Sequence, residues 1–90
     1  MRNQEKMKIT LTKYEKTGNP ELLFDDVPVT VNYCHLPGNQ TALDIINFPE
    51  ILESLTALGI CEDTGNIVKC NAGIFPVVVL KEIPEEGLEI

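Results

Sequence analysis

The sequence lacks tryptophan, and aromatic residues make up only 6% of its 90 residues. It contains no Gly-rich phosphate-binding loop, no Gly-x-Ser-x-Gly nucleophile motif and no stretch in which basic and aromatic residues alternate. Those motifs are typical of nucleotide-binding enzymes, hydrolases and single-strand-binding proteins, respectively. The sequence therefore gives no positive sign of an enzyme or of a nucleic-acid-binding protein.

Long apolar runs are lacking too. The longest run, GIFPVVVL at 73–80, has eight residues, far fewer than the roughly 20 that cross a bilayer. The first residues, MRNQEKMK, carry charge but no apolar stretch of the kind that a secretory signal needs. We therefore expect a cytoplasmic protein without a membrane segment.

Cysteine is scarce, and its three copies, Cys34, Cys61 and Cys70, form no Cys-x-x-Cys pair. An odd number without close pairs favours reduced thiols over a disulfide framework. Together with His35, the only histidine, they have the chemistry of zinc ligands but not the spacing of a structural site. Cys34 and His35 are neighbours, and neighbours on a strand point to opposite faces, which disfavours a nucleophile–base pair. We predict core thiols, a surface histidine, and no catalytic, metal or cofactor site.

Basic residues are scarce after residue 19. Residues 1–19 hold five basic and two acidic residues, whereas residues 20–90 hold two lysines and twelve acidic residues, a net charge of −10. An acidic surface of this density repels phosphate backbones. Direct binding to nucleic acid is therefore disfavoured.

Three adjacent acidic pairs stand out: Asp25–Asp26, Glu62–Asp63 and Glu85–Glu86. Each pair lies where a solvated turn is expected, which is weak support for a cation site. The segment EDTGN at 62–66 is similar to the start of a calcium loop, but Ile74 stands where the closing acid would be. We interpret 62–66 as a hairpin turn.

What the sequence does contain is alternation. Between Met7 and Tyr14, apolar residues at Met7, Ile9 and Leu11 alternate with polar ones, which predicts a half-buried strand. The TGNP segment at 17–20 predicts a turn that opens a hairpin.

The return arm of this hairpin is predicted to run from 21 to 34. Asp25, Asp26 and Pro28 interrupt its pattern, as at a bulge or a sheet edge. The following apolar segment, 41–46, is predicted to be a short strand.

A helix is predicted from Phe48 to Leu58. Asn47 is a favourable N-cap, and Glu50 could complete a capping box, so Asn47→Ala is expected to cost about 1 kcal/mol. Pro49 is tolerated in the first turn.

The apolar stripe of this helix is predicted to be Ile51, Leu55 and Leu58 together with Phe48. Gly59 is predicted as the C′ residue that ends the helix.

A second hairpin is predicted beyond the helix. Its strands are 67–70 and 74–83, joined by a turn at 71–73. The run 74–80 is apolar at both its odd and its even positions, which predicts a strand buried on both faces. Pro76 is predicted to lie near the start of this strand.

These elements predict one α+β domain spanning 1–90. One antiparallel sheet of four to five strands, made from the two hairpins, is expected to pack a face on the helix at about 48–58. A flexible N-terminus at 1–6 and a frayed tail at 84–90 are expected to flank it.

Short pieces between Val29 and Leu80 carry a family resemblance. They are Val29-Thr30-Val31-Asn32, Leu36-Pro37, Ala42-Leu43-Asp44, Asn47-Phe48-Pro49, Leu58-Gly59, Asp63-Thr64-Gly65 and Phe75-Pro76. In these pieces the chain resembles a small family of uncharacterised proteins, catalogued as a domain of unknown function, from plasmids and conjugative transposons of Gram-positive bacteria. It departs from that family at Glu50-Ile51, where an aromatic residue is usual, and at Asn66, where a basic one is. The resemblance implies a mobile element in a bacterial cytoplasm and supplies no activity.

The sequence is compatible with two functions. The first is a non-catalytic protein-interaction module, favoured as a monomer, that serves a mobile element and docks another protein on its sheet edge or its acidic face. The second is an inhibitor whose acidic body imitates a nucleic-acid backbone and occupies the groove of a host defence nuclease. The salt dependence of binding distinguishes them, because exposed charge pairs are screened over about 8–10 Å at physiological ionic strength. Binding by a mimic should weaken strongly as salt rises, whereas apolar docking should change little.

Overall fold

A computed structural model describes residues 8–83 and 87–89 of the chain. These residues form eight β-strands and one short α-helix. In chain order, the elements are β1 (Lys8–Lys13), β2 (Pro20–Phe24), β3 (Val27–Pro28), β4 (Thr30–Val31), β5 (Gln40–Leu43), α1 (Ile51–Ala57), β6 (Cys61–Cys70), β7 (Gly73–Leu80) and β8 (Leu88–Glu89).

The strands form two four-stranded antiparallel sheets. The first sheet has the order β3-β2-β1-β8, and the second has the order β4-β5-β7-β6. The α+β class and the antiparallel pairing agree with the sequence prediction. The predicted single sheet of four to five strands is wrong, because the arm after the first hairpin divides between two sheets.

The first hairpin forms as predicted. Lys13 pairs with Pro20 across the TGNP turn, and the Tyr14 N–H donates to the Asn19 carbonyl over 2.9 Å. Gly18 has φ of 78°, a left-handed conformation that glycine adopts without strain. Ile9 is fully buried but Leu11 is 39% exposed, so only part of the predicted apolar face reaches the core.

The return arm breaks at its acidic pair. Asp25 and Asp26 have φ of 49° and 68°, the left-handed values that the two central residues of a type I′ turn require. This turn folds Val27 back onto Phe24, so that β3 pairs with β2. The next strand, β4, pairs instead with β5 in the second sheet. The interruption that the sequence predicts here is therefore a second hairpin followed by a change of sheet.

The start of α1 differs from the prediction. The backbone N–H and the side-chain Nδ2 of Asn47 donate to the Asp44 carboxylate over 3.1 and 2.8 Å. The N-cap position belongs to Glu50, which makes no side-chain capping bond. The predicted N-cap at Asn47 and the predicted start at Phe48 are therefore wrong, because Asp44 holds Asn47 in a turn that precedes the helix.

The end of α1 follows the prediction at Gly59, which has φ of 76°. The Gly59 N–H donates to the Thr56 carbonyl and the Ile60 N–H to the Leu55 carbonyl, each over 3.0 Å, which is a Schellman motif. Leu55 is fully buried, but Leu58 is 48% exposed and does not belong to the core stripe in which it was predicted.

The segment 62–66 is not a hairpin turn, which corrects the prediction. It lies inside β6, where Asp63 pairs with Val78 and Ile67 with Pro76. The three β6 residues between these pairs face one residue of β7, so the segment is a β-bulge.

The residues of this bulge explain why it was mistaken for a turn. Gly65 has φ of 84°, its N–H donates to Asp63 Oδ1 over 3.0 Å, and the Asn66 N–H donates to Thr64 Oγ1 over 3.1 Å. A left-handed glycine flanked by local side-chain bonds is also the chemistry of a tight turn.

The buried apolar residues form two clusters on opposite faces of the second sheet. The larger cluster consists of Ile9, Leu22, Val29, Leu43, Ile51, Leu55, Ile60, Cys61, Val78 and Leu80. The smaller cluster consists of Ala42, Val68, Phe75 and Val77. Because Val77 and Val78 belong to different clusters, β7 is buried on both faces, as predicted. Pro76 lies within β7 rather than at its start. It directly precedes Val77, whose pair with Ala42 is the last one between β5 and β7.

Part of the tail predicted to be frayed is a strand. Leu88 pairs with Ile9 and Glu89 with Lys8, so β8 completes the edge of the first sheet. The predicted flexible segment 1–6, and residues 84–86 and 90 of the predicted tail, lie outside the described residues.

Candidate functional site

An open apolar groove lies beside α1, and we call it the helix groove. Its volume is about 550 Å³, which lies within the range of small-ligand pockets. Its lining residues are Phe24, Asn47, Phe48, Pro49, Glu50, Ile51, Ser54 and Leu58. Most of these side chains are apolar, so the groove suits an apolar group.

Two turns place the groove residues that precede the helix. The Phe48 N–H donates to the Asp44 carbonyl over 3.0 Å, and the Ile51 N–H donates to the Phe48 carbonyl over 3.0 Å. These bonds hold Phe48 between the end of β5 and the start of α1, where its ring packs against the larger core cluster. Phe24, at the end of β2, reaches the groove from the first sheet.

Several apolar side chains of the groove remain accessible to water. Phe24 and Phe48 are half-buried, and Leu58 is exposed at the end of α1. A cluster of exposed apolar side chains marks interaction surfaces more often than an isolated one does. This arrangement can bind an apolar segment.

Acidic residues occur in the groove lining and next to lining residues in the sequence. Of the described residues that line the groove, Glu50 is the ionisable one, and Glu53 lies in the first turn of the helix that follows. Asp25 and Asp26 come directly after Phe24, and all four carboxylates are exposed. We call these four residues the acidic rim.

The loop NYCHLPG at 32–38 is held by one buried side chain. Asn19 is 1% exposed, its Nδ2 donates to the Cys34 carbonyl over 2.7 Å, and its Oδ1 accepts the Leu36 N–H over 2.8 Å. We call Asn19 with this loop the polar anchor. Because buried polar groups must be paired, these bonds fix the loop to the first hairpin.

The histidine of this loop is engaged with the main chain. His35 Nδ1 lies 2.9 Å from the Thr17 carbonyl, so its N–H donates there. Thr17 Oγ1 in turn donates to Asn32 Oδ1 over 2.6 Å. His35 is exposed, as predicted, and its bond orients the loop rather than activating the neighbouring Cys34.

The three thiols occupy different environments. Cys61 is buried in the larger core cluster, as predicted, whereas Cys34 is exposed, which corrects the prediction of a core thiol, and Cys70 is half-buried. Burial raises the pKa of the Cys61 thiol above its ordinary value, although the Thr56 hydroxyl opposes the change. No group of three or more His, Cys, Asp or Glu side chains in 8–83 and 87–89 could hold a metal ion.

The acidic pairs serve local structure where the structure describes them. Asp25 Oδ1 accepts the Lys8 N–H over 2.9 Å in the predicted turn. Glu62 lies 3.1 Å from the Lys81 ammonium, and its pair with Asp63 is in a strand rather than in the predicted turn. Glu85 and Glu86 lie outside the described residues.

The sequence did not predict the helix groove. Leu58 fits the helical period of Ile51 and Leu55, and this spacing assigns it to the core. The signal that could have found the site is the position of Leu58 at the last turn, next to the Gly59 cap, where a helix leaves the core.

No protein-family model, curated protein or solved structure matches this chain. The described residues contain no helix with the length and apolar character that a membrane span requires. The helix groove and its lining are therefore the features of the molecule that bear on its function.

Proposed function

We propose that the protein is a non-catalytic protein-interaction module that docks its partner in the helix groove. The observation that carries this proposal is the set of half-exposed and exposed apolar side chains, Phe24, Phe48 and Leu58, gathered around one groove of about 550 Å³. Burying such side chains against a partner is favourable by about 25 cal/mol per Å² of apolar area.

The residues with catalytic chemistry support the same proposal. Asn19 and Asn32 are bonded within the polar anchor, and His35 bonds the Thr17 carbonyl, so these side chains hold the loop in place. The lining, as far as the described part of the chain forms it, holds one carboxylate, from Glu50, and no nucleophilic thiol or imidazole. The residues of the groove therefore favour binding over catalysis.

The strand edges are less suited to docking than the groove. Among the described strands, the edge strands β3, β4 and β8 have two residues each, too short to accept an added strand. The remaining edge, β6, has ten residues, but the bulge at 64–66 interrupts it and uses its own side chains to bond two of its amides. Bulges and short edges are common protections against edge pairing. The groove therefore replaces the sheet edge as the favoured surface.

The setting of the interaction is proposed from the family resemblance. A protein of a plasmid or a conjugative transposon would meet its partner in a bacterial cytoplasm, as an accessory factor of that element.

The acidic mimic remains the second candidate. The described carboxylates are mostly exposed, and one ion pair, between Lys81 and Glu62, is found among the described side chains. An acidic surface with so few internal partners is free to face a basic groove.

Capture from a Gram-positive bacterial lysate tests both candidates when two matched variants are used. Leu58→Ser alters the groove, whereas Ile67→Ser removes an apolar side chain that is 57% exposed on β6. A groove interaction is lost with Leu58→Ser, is kept with Ile67→Ser, and persists as salt rises. A partner that both variants keep but moderate salt releases would overturn the groove proposal and favour the mimic.

A further inference from the structure

We propose that the helix groove binds an apolar helical segment of its partner, and that lysine or arginine flanks the apolar stripe of that segment. This inference rests on the proposed function, since it names the chemistry of the partner at the same groove. The inference is based on the apolar lining of the groove, called its floor, together with the acidic rim.

The floor of the groove sets the first requirement on the partner. Phe24 comes from the first sheet, and Phe48 and Leu58 come from the two ends of the α1 segment, so the apolar lining spans the length of the helix. An amphipathic helix presents apolar side chains at i, i+3, i+4 and i+7, which is the pattern that grooves of this kind receive. A single small apolar group would leave part of the lining in water.

The acidic rim sets the second requirement. Glu50 is in the lining itself, and Glu53 lies three residues further along the helix. Asp25 and Asp26 follow the lining residue Phe24 in the sequence; both are exposed, and Asp25 Oδ1 also accepts the Lys8 N–H. Among residues 8–83 and 87–89, no basic residue lines the groove, and the ion pair found there involves Glu62 rather than the rim. Lysine or arginine on the partner would therefore meet carboxylates that have no internal cation among the described residues.

The same charges disfavour the other occupants. A second copy of this chain, with a net charge of −7, would bring a predominantly acidic surface against the acidic rim. An acidic peptide would meet the same repulsion, which acts within about 10 Å at physiological ionic strength. A basic amphipathic helix satisfies both the floor and the rim.

Three synthetic peptides of about 14 residues, the length at which a helix becomes marginally stable, provide the probe. The first carries leucine at i, i+3, i+4 and i+7 and lysine on its other face. The second replaces lysine with glutamate, and the third keeps the composition of the first but scrambles the leucine stripe. We expect the first to bind the full-length protein at least about tenfold more tightly than either of the others, a difference of about 1.4 kcal/mol.

Variants of the protein locate the binding. Leu58→Ser is expected to weaken the first peptide about tenfold, and Ser54→Trp, which fills the groove from an exposed helix position, is expected to do the same. Glu50→Gln is expected to weaken it about threefold. Ile67→Ser and Glu89→Gln are matched controls outside the groove, and they are expected to leave the affinity unchanged.

The outcomes separate this inference from the proposed function. If the glutamate peptide binds as tightly as the lysine peptide, and Leu58→Ser weakens both, the groove docks apolar segments but the inference about basic flanks is wrong. If the scrambled peptide binds as tightly as the first, or if Glu89→Gln weakens binding as much as Glu50→Gln, the affinity is general charge attraction and the inference fails. If Leu58→Ser and Ser54→Trp both fold and leave the first peptide and the captured partner unaffected, the groove proposal fails with it.

Discussion

The polar anchor and the helix groove use similar residues in opposite ways. Each has an asparagine shortly before an apolar residue and a proline: Asn32 before Leu36-Pro37, and Asn47 before Phe48-Pro49. In the polar anchor, the polar side chains bond inside the protein. In the groove, Phe24 and Phe48 are only half-buried and Leu58 is exposed. His35, a residue with catalytic chemistry, is bonded to the main chain, and Leu58, which was assigned to the core, lines the candidate site.

The difference follows from the cost of burying each kind of group. A buried amide without a partner loses about 1–3 kcal/mol, so the polar anchor is stable only when every bond is made. An exposed leucine or phenylalanine loses hydrophobic stabilisation but leaves no polar group unpaired. Apolar groups can therefore stay open for a partner at a lower cost in folding stability.

The largest effect that tests this comparison concerns two leucines of the helix. Leu55 is fully buried and Leu58 is 48% exposed. Leu55→Ala is expected to lower the free energy of unfolding by about 3 kcal/mol, and Leu58→Ala by less than about 0.5 kcal/mol. Denaturant unfolding of both variants measures this. Equal losses would place Leu58 in the core and remove the basis for the groove.

The next effect concerns Asn19. Asn19→Ala leaves the Leu36 N–H and the Cys34 carbonyl without their partner, and we expect a loss of about 2–3 kcal/mol. Asn39→Ala is the control, because its side chain is exposed, and it is expected to cost less than about 0.5 kcal/mol. If both variants unfold at the same denaturant concentration as the wild type, the polar anchor does not stabilise the fold.

A smaller effect is expected at Tyr14, whose hydroxyl lies 2.7 Å from the Thr30 hydroxyl. Tyr14→Phe removes this bond and leaves the buried Thr30 hydroxyl without it, which is expected to cost about 1 kcal/mol at pH 7. Thermal or denaturant unfolding of the wild type and of this variant at pH 7 gives the value.

The stabilities of the wild type and of Tyr14→Phe are also expected to depend differently on pH. Partial burial raises the pKa of the Tyr14 phenol above its ordinary value of 10.0, with the Thr30 bond opposing and the Glu21 and Asp44 charges adding to the rise. The folded state then keeps a proton that the unfolded state loses, so the contribution is present below pH 10 and is lost as pH rises through the folded pKa. The wild type should therefore lose stability relative to Tyr14→Phe above pH 10. A constant difference from pH 8 to 11 would contradict this.

Short-range chemistry predicted some of these elements well. The TGNP turn and the Gly59 end of the helix were predicted because glycine in the left-handed region leaves few alternatives. The prediction for 62–66 failed because a bulge and a hairpin turn use the same residues, and only the partner strand distinguishes them.

Other predictions failed because neighbouring residues compete for the same hydrogen bonds or because the feature depends on tertiary packing. Asn47 is a good N-cap in isolation, but the Asp44 carboxylate three residues earlier accepts its bonds. The helix groove could not be predicted, because it depends on the approach of Phe24, from a different sheet, to the α1 segment. That approach is a property of tertiary packing rather than of any local pattern.

The smallest effect tests the strained turn beside the groove against the glycine turn beside the polar anchor. Asp26 holds φ of 68° without being glycine, whereas the TGNP turn uses Gly18 at 78°. Asp26→Gly is expected to raise the free energy of unfolding by about 0.5–1 kcal/mol, because glycine adopts this conformation without a Cβ clash. Denaturant unfolding measures the gain.

Asp26→Asn separates strain from charge at the same position, because asparagine tolerates the left-handed region but carries no charge. We expect it to change stability by less than about 0.5 kcal/mol and to weaken the lysine peptide as much as Asp26→Gly does. Such a result would mean that Asp26 is strained in the free protein because its carboxylate serves the rim. If Asp26→Gly gains stability while neither variant weakens the peptide, Asp26 belongs to the turn alone, and the acidic rim shrinks to the carboxylates of the helix.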